Sequence, residues 1–514
     1  MSFSSDAVLK PSFSALEPIA QSLTVPFELL QRYNTAGPRY TSYPTAPTWH
    51  EGYQSKAYQE TLQQLKERRS TDLTYQEKPV SVYVHLPFCE SRCSFCSCNV
   101  IITPQREHAE TYLRHLMIEI DRVADALGDM PPRVGQLHLG GGTPTYLTPE
   151  QLTRLHAKLT SRFVLLPDAE IALEVDPRVT TPEHMYTLKA LGFTRVSMGV
   201  QDIQTDVQHS INRIQPVAQT QALIDIAREL GFQHGVNIDL IYGLPHQTLS
   251  SFEQTLEVVT QAFKPDRLAL YNFAYVPWLS PHQNKMNTDT LPKGEEKFNI
   301  FRQGLLHFLN AGYEYIGMDH FAKTSDPLTQ ALYQGRLHRN FMGYTVKPHT
   351  MTSEVTHWED PLFDMFSFGV SAIGASSHTY YQNVKKLSSY YQAMARPAHD
   401  PESLPVMRGL VLSPEDQLRR FVISQLLCEG QLSWSLVDKL FDLDSQSHFS
   451  EAFTWLRTAP VDDGLLEWHH DTMRLTPLGR IFSRNIAMPF DAYLKQQQSQ
   501  AIQRYGRSVF SRTL

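Results

Sequence analysis

From residue 80 the chain alternates short β-branched runs with amphipathic stretches, and this alternation limits the possible folds more than any other feature. The runs are VSVYVHLP (80–87), VGQLHLGG (134–141), AEIALEVDP (169–177), TRVSMGVQ (194–201), GVNIDLIYGLP (235–245) and DRLALYNFAYVP (266–277). Between them lie stretches of helical period such as HAETYLRHLMIEIDRVADAL and TPEHMYTLKALG. Strands joined through helices pair in parallel, so the pattern predicts an α/β fold with a parallel sheet, closed or open. Six units fit a partial (β/α)6 TIM-like barrel over 80–325. Polar and special residues come late in each run: His85, Gly140 to Gly142, Glu174, Asp176, Gln201 and Asp239. Parallel barrels carry their active face at the C-terminal strand ends, which puts these positions on one rim.

The flanks differ in character. Residues 1–79 read as an N-terminal arm, loose up to about residue 30. The stretch QRYNTAGPRYTSYPTAPTW then carries Tyr33, Tyr40, Tyr43 and Trp49, too many aromatics for a solvated linker. The arm is expected to pack on the main domain or to cover an active site and touch substrate. Residues 326–400 form a barrel-flanking segment, with 345–363 an irregular insertion. A single strand-like run, YEYIGMDHFA, spans 313–322. From 401 to 514 the period is helical, with Ser413 a candidate N-cap, then a short hairpin and a helix. This predicts a mainly helical, winged-helix-like C-terminal domain.

Composition narrows the classes of function. Apolar content of 41% and charge of 19% are ordinary for a globular chain, and a net charge of −7 gives no footprint for nucleic acid. No apolar run approaches a membrane span, and the N-terminus lacks the pattern of a signal peptide. A cytoplasmic location is therefore expected, with no nucleic-acid partner and no membrane span.

Four of the five cysteines fall within ten residues, in HLPFCESRCSFCSCNV: Cys89, Cys93, Cys96 and Cys98. Cysteines clustered in a reducing compartment are metal ligands or redox groups more often than disulfides. A zinc site usually needs a second, distant pair, and none exists. A thioredoxin-like C-x2-C accounts for Cys93 and Cys96 but not Cys89. Closely spaced thiolates on a loop suit an iron–sulfur cluster, and three of them leave one iron of a 4Fe–4S cluster open. A structural metal loop is the bland alternative. Cys428, alone in an amphipathic stretch, reads as a buried inert thiol.

C-x3-C-x2-C just after the first strand of a parallel barrel resembles the radical S-adenosylmethionine (SAM) superfamily. By that resemblance Cys89, Cys93 and Cys96 hold a 4Fe–4S cluster, and its open iron chelates SAM and cleaves it to a 5′-deoxyadenosyl radical. Phe95 matches the aromatic before the third cysteine, and GGGTP (140–144) resembles the motif that meets the SAM amino group. The ordered set PRYTSYPTA, YVHLPFC with Cys98 and Asn99, GGGTPTYL, EVDPR, SMGVQD, NRIQ, NIDLIYGLP, IGMDHFA, LHRNFMGYT and GVSAI is similar to the oxygen-independent coproporphyrinogen III oxidase (coproporphyrinogen dehydrogenase) family. The resemblance covers nearly the whole chain from residue 30.

That family oxidatively decarboxylates the ring A and B propionates of coproporphyrinogen III to the vinyl groups of protoporphyrinogen IX, in haem biosynthesis. The resemblance implies two SAM molecules. Tyr83, Gly141, Glu174 and Ile373 would line the cluster-bound one. Phe95, Cys98, Gly142, Thr143, Gln201, Arg213, Asp239 and Ala274 would line the second. It also implies an electron donor such as a flavodoxin or ferredoxin, and a monomer. Arg39 is a candidate for a substrate carboxylate, and Tyr40 and Tyr43 for substrate contact. His85, Asp319 and His320 read as structural. Two departures stand out: the stretch 345–363 is long for the family, and the N-terminus is extended. Rival readings are a haem-trafficking protein of the superfamily, a radical SAM methyltransferase that opens haem, and a protein with a structural metal loop.

Overall fold

The computed structural model describes residues 26–232, 234–347, 364–506, 508 and 510–513. The loose start of the arm and residues 348–363 of the expected insertion lie outside them. Six strands form the centre: β1 (Val80–Leu86), β2 (Arg133–Gly141), β3 (Val164–Val175), β4 (Arg195–Gln201), β5 (Val236–Tyr242) and β6 (Arg267–Asn272). They pair in parallel in sequence order, as the alternation predicts. Both faces of β1 are buried, with Val82 and Val84 in register with Leu137 and Leu139 of β2. Helices cover the outer face, so each strand is apolar on both sides.

The sheet continues beyond the six units. β7 (Tyr313–Gly317) and β8 (His320–Lys323) form a hairpin antiparallel to β6. The run expected as one strand over 313–322 is broken by a turn at Gly317 and Met318, both at positive φ. On the other side β9 (Met365–Phe368) joins β1 in parallel, followed by antiparallel β10 (Ile373–Ala375), β11 (Thr379–Asn383) and β12 (Val406–Val411). The order β12-β11-β10-β9-β1-β2-β3-β4-β5-β6-β8-β7 has two free ends, so the barrel is partial.

The two ends of the parallel strands differ in chemistry. Near their N-terminal ends Glu170 accepts from Arg195 at 3.0 Å and Arg267 at 2.8 Å, and Arg267 also reaches Asp326 at 2.9 Å. These buried charges are mutually paired and close the barrel floor. The opposite rim carries the cysteine loop.

After β12 the chain enters a helical module. Ser413 and Asp416 form a reciprocal capping box on the helix Pro414–Cys428. Three short strands, Gln431–Ser433, Leu466–His469 and Thr472–Leu475, make the small sheet of a winged-helix-like unit. Its core of Phe421, Leu426, Trp434, Phe453 and Phe490 is continuous with Ile316 and Leu337 of the barrel flank. Cys428 lies inside it, its thiol pushed up to about 12 by burial, in keeping with an inert role.

The arm joins the two bodies. Arg339 donates to the carbonyls of Arg39 and Tyr40, and Arg484 to those of Gly37 and Pro38. The Tyr40 hydroxyl donates to Asp491, and the Tyr43 hydroxyl accepts from the Ala492 N–H. Both tyrosine hydroxyls are thus engaged by the C-terminal module. Trp49 stacks on Tyr380 of β11 at 5.3 Å.

One buried carboxylate locks the sheet extension to the barrel. Glu119, 2% exposed on the helix Glu107–Leu127, accepts from the Gly369 N–H, the Asn383 amide and the Tyr390 hydroxyl. Glu119→Ala would orphan three donors and should cost about 3 kcal/mol in urea unfolding. Burial raises the Glu119 carboxyl to about 7, above its unfolded value of about 4.3. The folded chain then holds that proton more tightly. The stability difference between wild type and variant should therefore be largest below about pH 4.3 and shrink as pH rises through about 7.

Candidate active site

The cysteines sit on a loop whose stem is a two-residue parallel pairing. Phe88 and Cys89 lie beside Ile101 and Ile102, fastened by Ile101 N–H to Pro87 O at 2.8 Å and Thr103 N–H to Cys89 O at 3.1 Å. A turn closed by Cys96 N–H to Cys93 O brings the second and third cysteines together. Ser94 N–H donates to Ile211 O, and the Asn212 amide to Arg92 O, which ties the loop to the segment after β4.

The glycines of GGGTP pack against that stem. Gly142 N–H donates to Leu86 O and Thr143 N–H to Phe88 O, each at 2.8 Å. A Cβ on Gly142 would stand 2.7 Å from the Phe88 carbonyl oxygen. Gly141 has φ +114, and a Cβ there would lie 2.6 Å from the His85 ring. The Thr143 hydroxyl lies 3.4 Å from Cys89 Sγ.

Around this centre the strand ends supply charge. Gly141 N–H donates to Glu174 Oε2 at 3.1 Å, and His138 Nε2 lies 3.3 Å from Oε1. Burial raises the Glu174 carboxyl, but these contacts outweigh it and hold its pKa below the ordinary value. Tyr83 stacks on His138 at 6.1 Å and reaches His85 Nδ1 at 3.1 Å. Burial pushes Asp239 up to about 6, against a 2.8 Å hydrogen bond from Asn237.

Asp176 gathers two guanidiniums, Arg178 at 2.6 Å and Arg213 at 3.2 Å. Although burial opposes it, these charges bring the Asp176 carboxyl down to about 2. The same two arginines point N–H groups at Cys93 Sγ, at 3.6 and 3.7 Å. Hydrogen bonds to ligating sulfurs are one lever on the potential of an iron–sulfur cluster. Arg213 is placed by NRIQ: Gln208 braces the Gln215 backbone, and Arg213 Nη2 donates to Gly199 O at 2.6 Å. The neighbouring Cys98 thiol, with the Arg92 and Arg213 guanidiniums, holds the Cys96 thiol below its ordinary value.

One cavity joins most of these groups. Cys89, Cys93, Cys96 and Cys98 line it, with Phe95, Gly141, Gly142, Thr143, Glu174, Gln201, Arg213 and Asp239. Tyr83 stands behind it through His138 and His85. Ala274 lines a neighbouring, larger cavity instead. Ile373 on β10 packs with Trp49 and Tyr380 in an apolar cluster. Sequence reasoning assigned no role to Arg178, although EVDPR contains it. Its proximity to Cys93 follows from a turn that one sequence does not reveal.

The lining suits a thiolate-held cluster and a zwitterionic nucleoside. Among the described residues no three side chains converge as they would on a single metal ion. Each thiolate at a 4Fe–4S cluster binds a different iron, so these ligands stand further apart than the ligands of one ion. Gln201 Oε1 and Arg213 Nε are buried without a partner among the described residues. Buried polar atoms of this kind call for a ligand or water. Glu174 and Asp239 offer acceptors for ribose hydroxyls or an ammonium group, and Arg213 a donor for a carboxylate.

Comparison with known proteins agrees. Residues 83–259 match the radical SAM superfamily and residues 412–482 the HemN C-terminal domain. The oxygen-independent coproporphyrinogen III oxidase of Synechocystis sp. is 40% identical over 486 residues, covering 94% of this chain and 97% of that protein. The Escherichia coli enzyme of the same name is 40% identical over 470 residues, 91% of this chain and 95% of that one. The solved structure of coproporphyrinogen III oxidase (HemN) from Escherichia coli, a radical SAM enzyme, superposes with a TM-score of 0.79 at 40% identity, covering 88% of this chain and 97% of that one. No helix among the described residues is long and apolar enough to cross a membrane. The chain belongs to the oxygen-independent coproporphyrinogen III oxidase family of radical SAM enzymes.

Proposed function

We propose that this enzyme decarboxylates the ring A and B propionates of coproporphyrinogen III without oxygen, giving the vinyl groups of protoporphyrinogen IX for haem biosynthesis. The observation that carries the reading is the convergence of the cysteine loop, the triple glycine, Glu174, Arg213 and Asp239 on one cavity. When bound, a 4Fe–4S cluster with one iron free of thiolate would supply the electron that cleaves SAM and so the 5′-deoxyadenosyl radical that takes hydrogen from a propionate, which then loses CO2 and passes one electron to an external one-electron acceptor.

The residues divide the remaining work. Cys89, Cys93 and Cys96 would hold the cluster, while Cys98, on the same cavity wall, would stay outside the ligand set. Gly141 and Glu174, backed by Tyr83, receive the first SAM, with backbone close enough for hydrogen bonding because no Cβ intervenes. Gly142, Thr143, Gln201, Arg213 and Asp239 receive the second, Arg213 by pairing its carboxylate. The arm, barrel and C-terminal module act as one catalytic unit, supplied with electrons by a donor such as flavodoxin or ferredoxin.

The anaerobic assay decides between this reading and its rivals. Reconstituted protein, dithionite, SAM and coproporphyrinogen III should yield protoporphyrinogen IX with 5′-deoxyadenosine. Haem binding without turnover would favour a trafficking role, and a linear tetrapyrrole from haem would favour the methyltransferase. Alanine at Cys89, Cys93 or Cys96 should abolish the iron–sulfur absorption and both products. Cys98→Ala should keep about four irons per chain; loss of iron there would make it a ligand. Arg213→Ala should bind one equivalent of SAM rather than two in equilibrium dialysis, and two equivalents would reject its assignment.

A further inference from the structure

A second cavity, of about 930 Å³, opens beside the first at the ends of β5 and β6. Its size lies near the top of the range of about 300–1,000 Å³ for small-ligand sites. Tyr242, Phe273, Trp278, Phe298 and Phe301 give it broad aromatic walls. The arm closes one side through Phe27 and Leu30, and the chain's end closes another through Phe510 and Arg512. Among the described residues its charged lining is Lys293, Lys297 and Arg512, with no aspartate or glutamate. An apolar box with cations alone selects a flat, apolar molecule that carries carboxylates at its edge.

Lys297 is the central cation. Its ammonium donates to Phe273 O at 2.9 Å and stands 5.8 Å from the Tyr242 ring centroid. No carboxylate pairs with it among the described residues, and burial lowers its pKa to about 8. Its stem lies along Gly243 of NIDLIYGLP, where φ is +86 and a Cβ would stand 2.4 Å from Lys297 Cε. The glycine therefore makes room for the lysine. Arg39, the cation expected from the sequence to meet substrate, is instead engaged by Asp319. Asn272 Oδ1, also on the cavity wall, is a buried acceptor without a partner among the described residues, and a pyrrole N–H can meet it.

The cavity adjoins the cysteine site. Asp239 of the cysteine cavity and Tyr242 of this one lie three residues apart with side chains on opposite faces of β5, so the two cavities flank the C-terminal end of that strand. Phe95 of the cysteine loop packs in the same apolar cluster as Phe273 and Tyr275. A macrocycle seated here can turn one edge toward the cluster cavity while its far carboxylates meet the lysine.

We propose that this aromatic cavity is the receptor for the tetrapyrrole ring and that Lys297 is the specificity residue that pairs with a propionate not undergoing reaction. The inference rests on the proposed decarboxylase reading. Anaerobic equilibrium dialysis of the reconstituted full chain with coproporphyrinogen III, quantified after oxidation to the porphyrin, tests it. Lys297→Met should weaken binding about tenfold and raise KM more than it lowers kcat, with the iron–sulfur spectrum intact. Lys297→Arg should restore most of the affinity. The tetramethyl ester of the same tetrapyrrole, which has no charge, should bind wild type and Lys297→Met alike. Wild-type affinity in Lys297→Met would overturn the proposal and leave the decarboxylase reading standing. Absence of both binding and turnover in the wild type would overturn both.

Discussion

The parallel pairing of β1 with β2 is the constraint on which the site depends. It places Leu86 opposite Gly141, so that the cysteine loop and the triple glycine leave the sheet side by side. Two backbone hydrogen bonds, from Gly142 and Thr143 to Leu86 and Phe88, then join the loop stem to the glycine turn. A shift of one residue would exchange inward and outward faces along the strand. His85 and Tyr83 would leave the interior, and the support behind Glu174 would go with them. The buried valines and leucines of both strands hold the register, because either slip would carry apolar side chains away from their partners.

Charge follows the same logic at both ends of the barrel. At the floor Glu170, Arg195, Arg267 and Asp326 pair with one another, so each buried charge has an opposite charge beside it, although Arg267 Nη2 keeps no partner among the described residues. At the rim the balance is left open. Arg213 keeps an unpartnered Nε, Gln201 an unpartnered oxygen, and Lys297 an ammonium without a carboxylate among the described residues. Glu170 and Glu174 belong to one strand, yet Glu170 is paired with arginines while Glu174 lines the cysteine cavity. Position along the strand separates the structural carboxylate from the one available to a cofactor.

Much of this was legible from residues. The six central strands lie within a few residues of the runs read from β-branched patterning, because strands buried on both faces need continuous apolar runs. The cysteine spacing and the glycine triplet marked the centre of the site for a similar reason: each residue type is required by a local geometry. Glu174, Gln201, Arg213 and Asp239 were found through family motifs, and they do share one cavity. Less was legible where the partner is distant. Tyr40 and Tyr43 look alike as free aromatics in sequence, yet Asp491 and Ala492, about 450 positions away, claim them. The run 313–322 has the composition of one strand, and only its two positive-φ residues make it a hairpin.

By itself the sequence determined the strand–helix repeat, the thiol loop and the glycines that must stand where no Cβ fits, since these depend on local sterics and on the polarity of neighbouring residues. Tertiary structure decided that Arg178 and Arg213 both face Cys93, that Arg39 is engaged by Asp319, and that Lys297 overlooks an aromatic cavity with no acidic lining among the described residues. Those outcomes depend on which charges meet across segments tens to hundreds of residues apart. Coulomb energy and desolvation act on distances in space, and distance along the chain does not encode them.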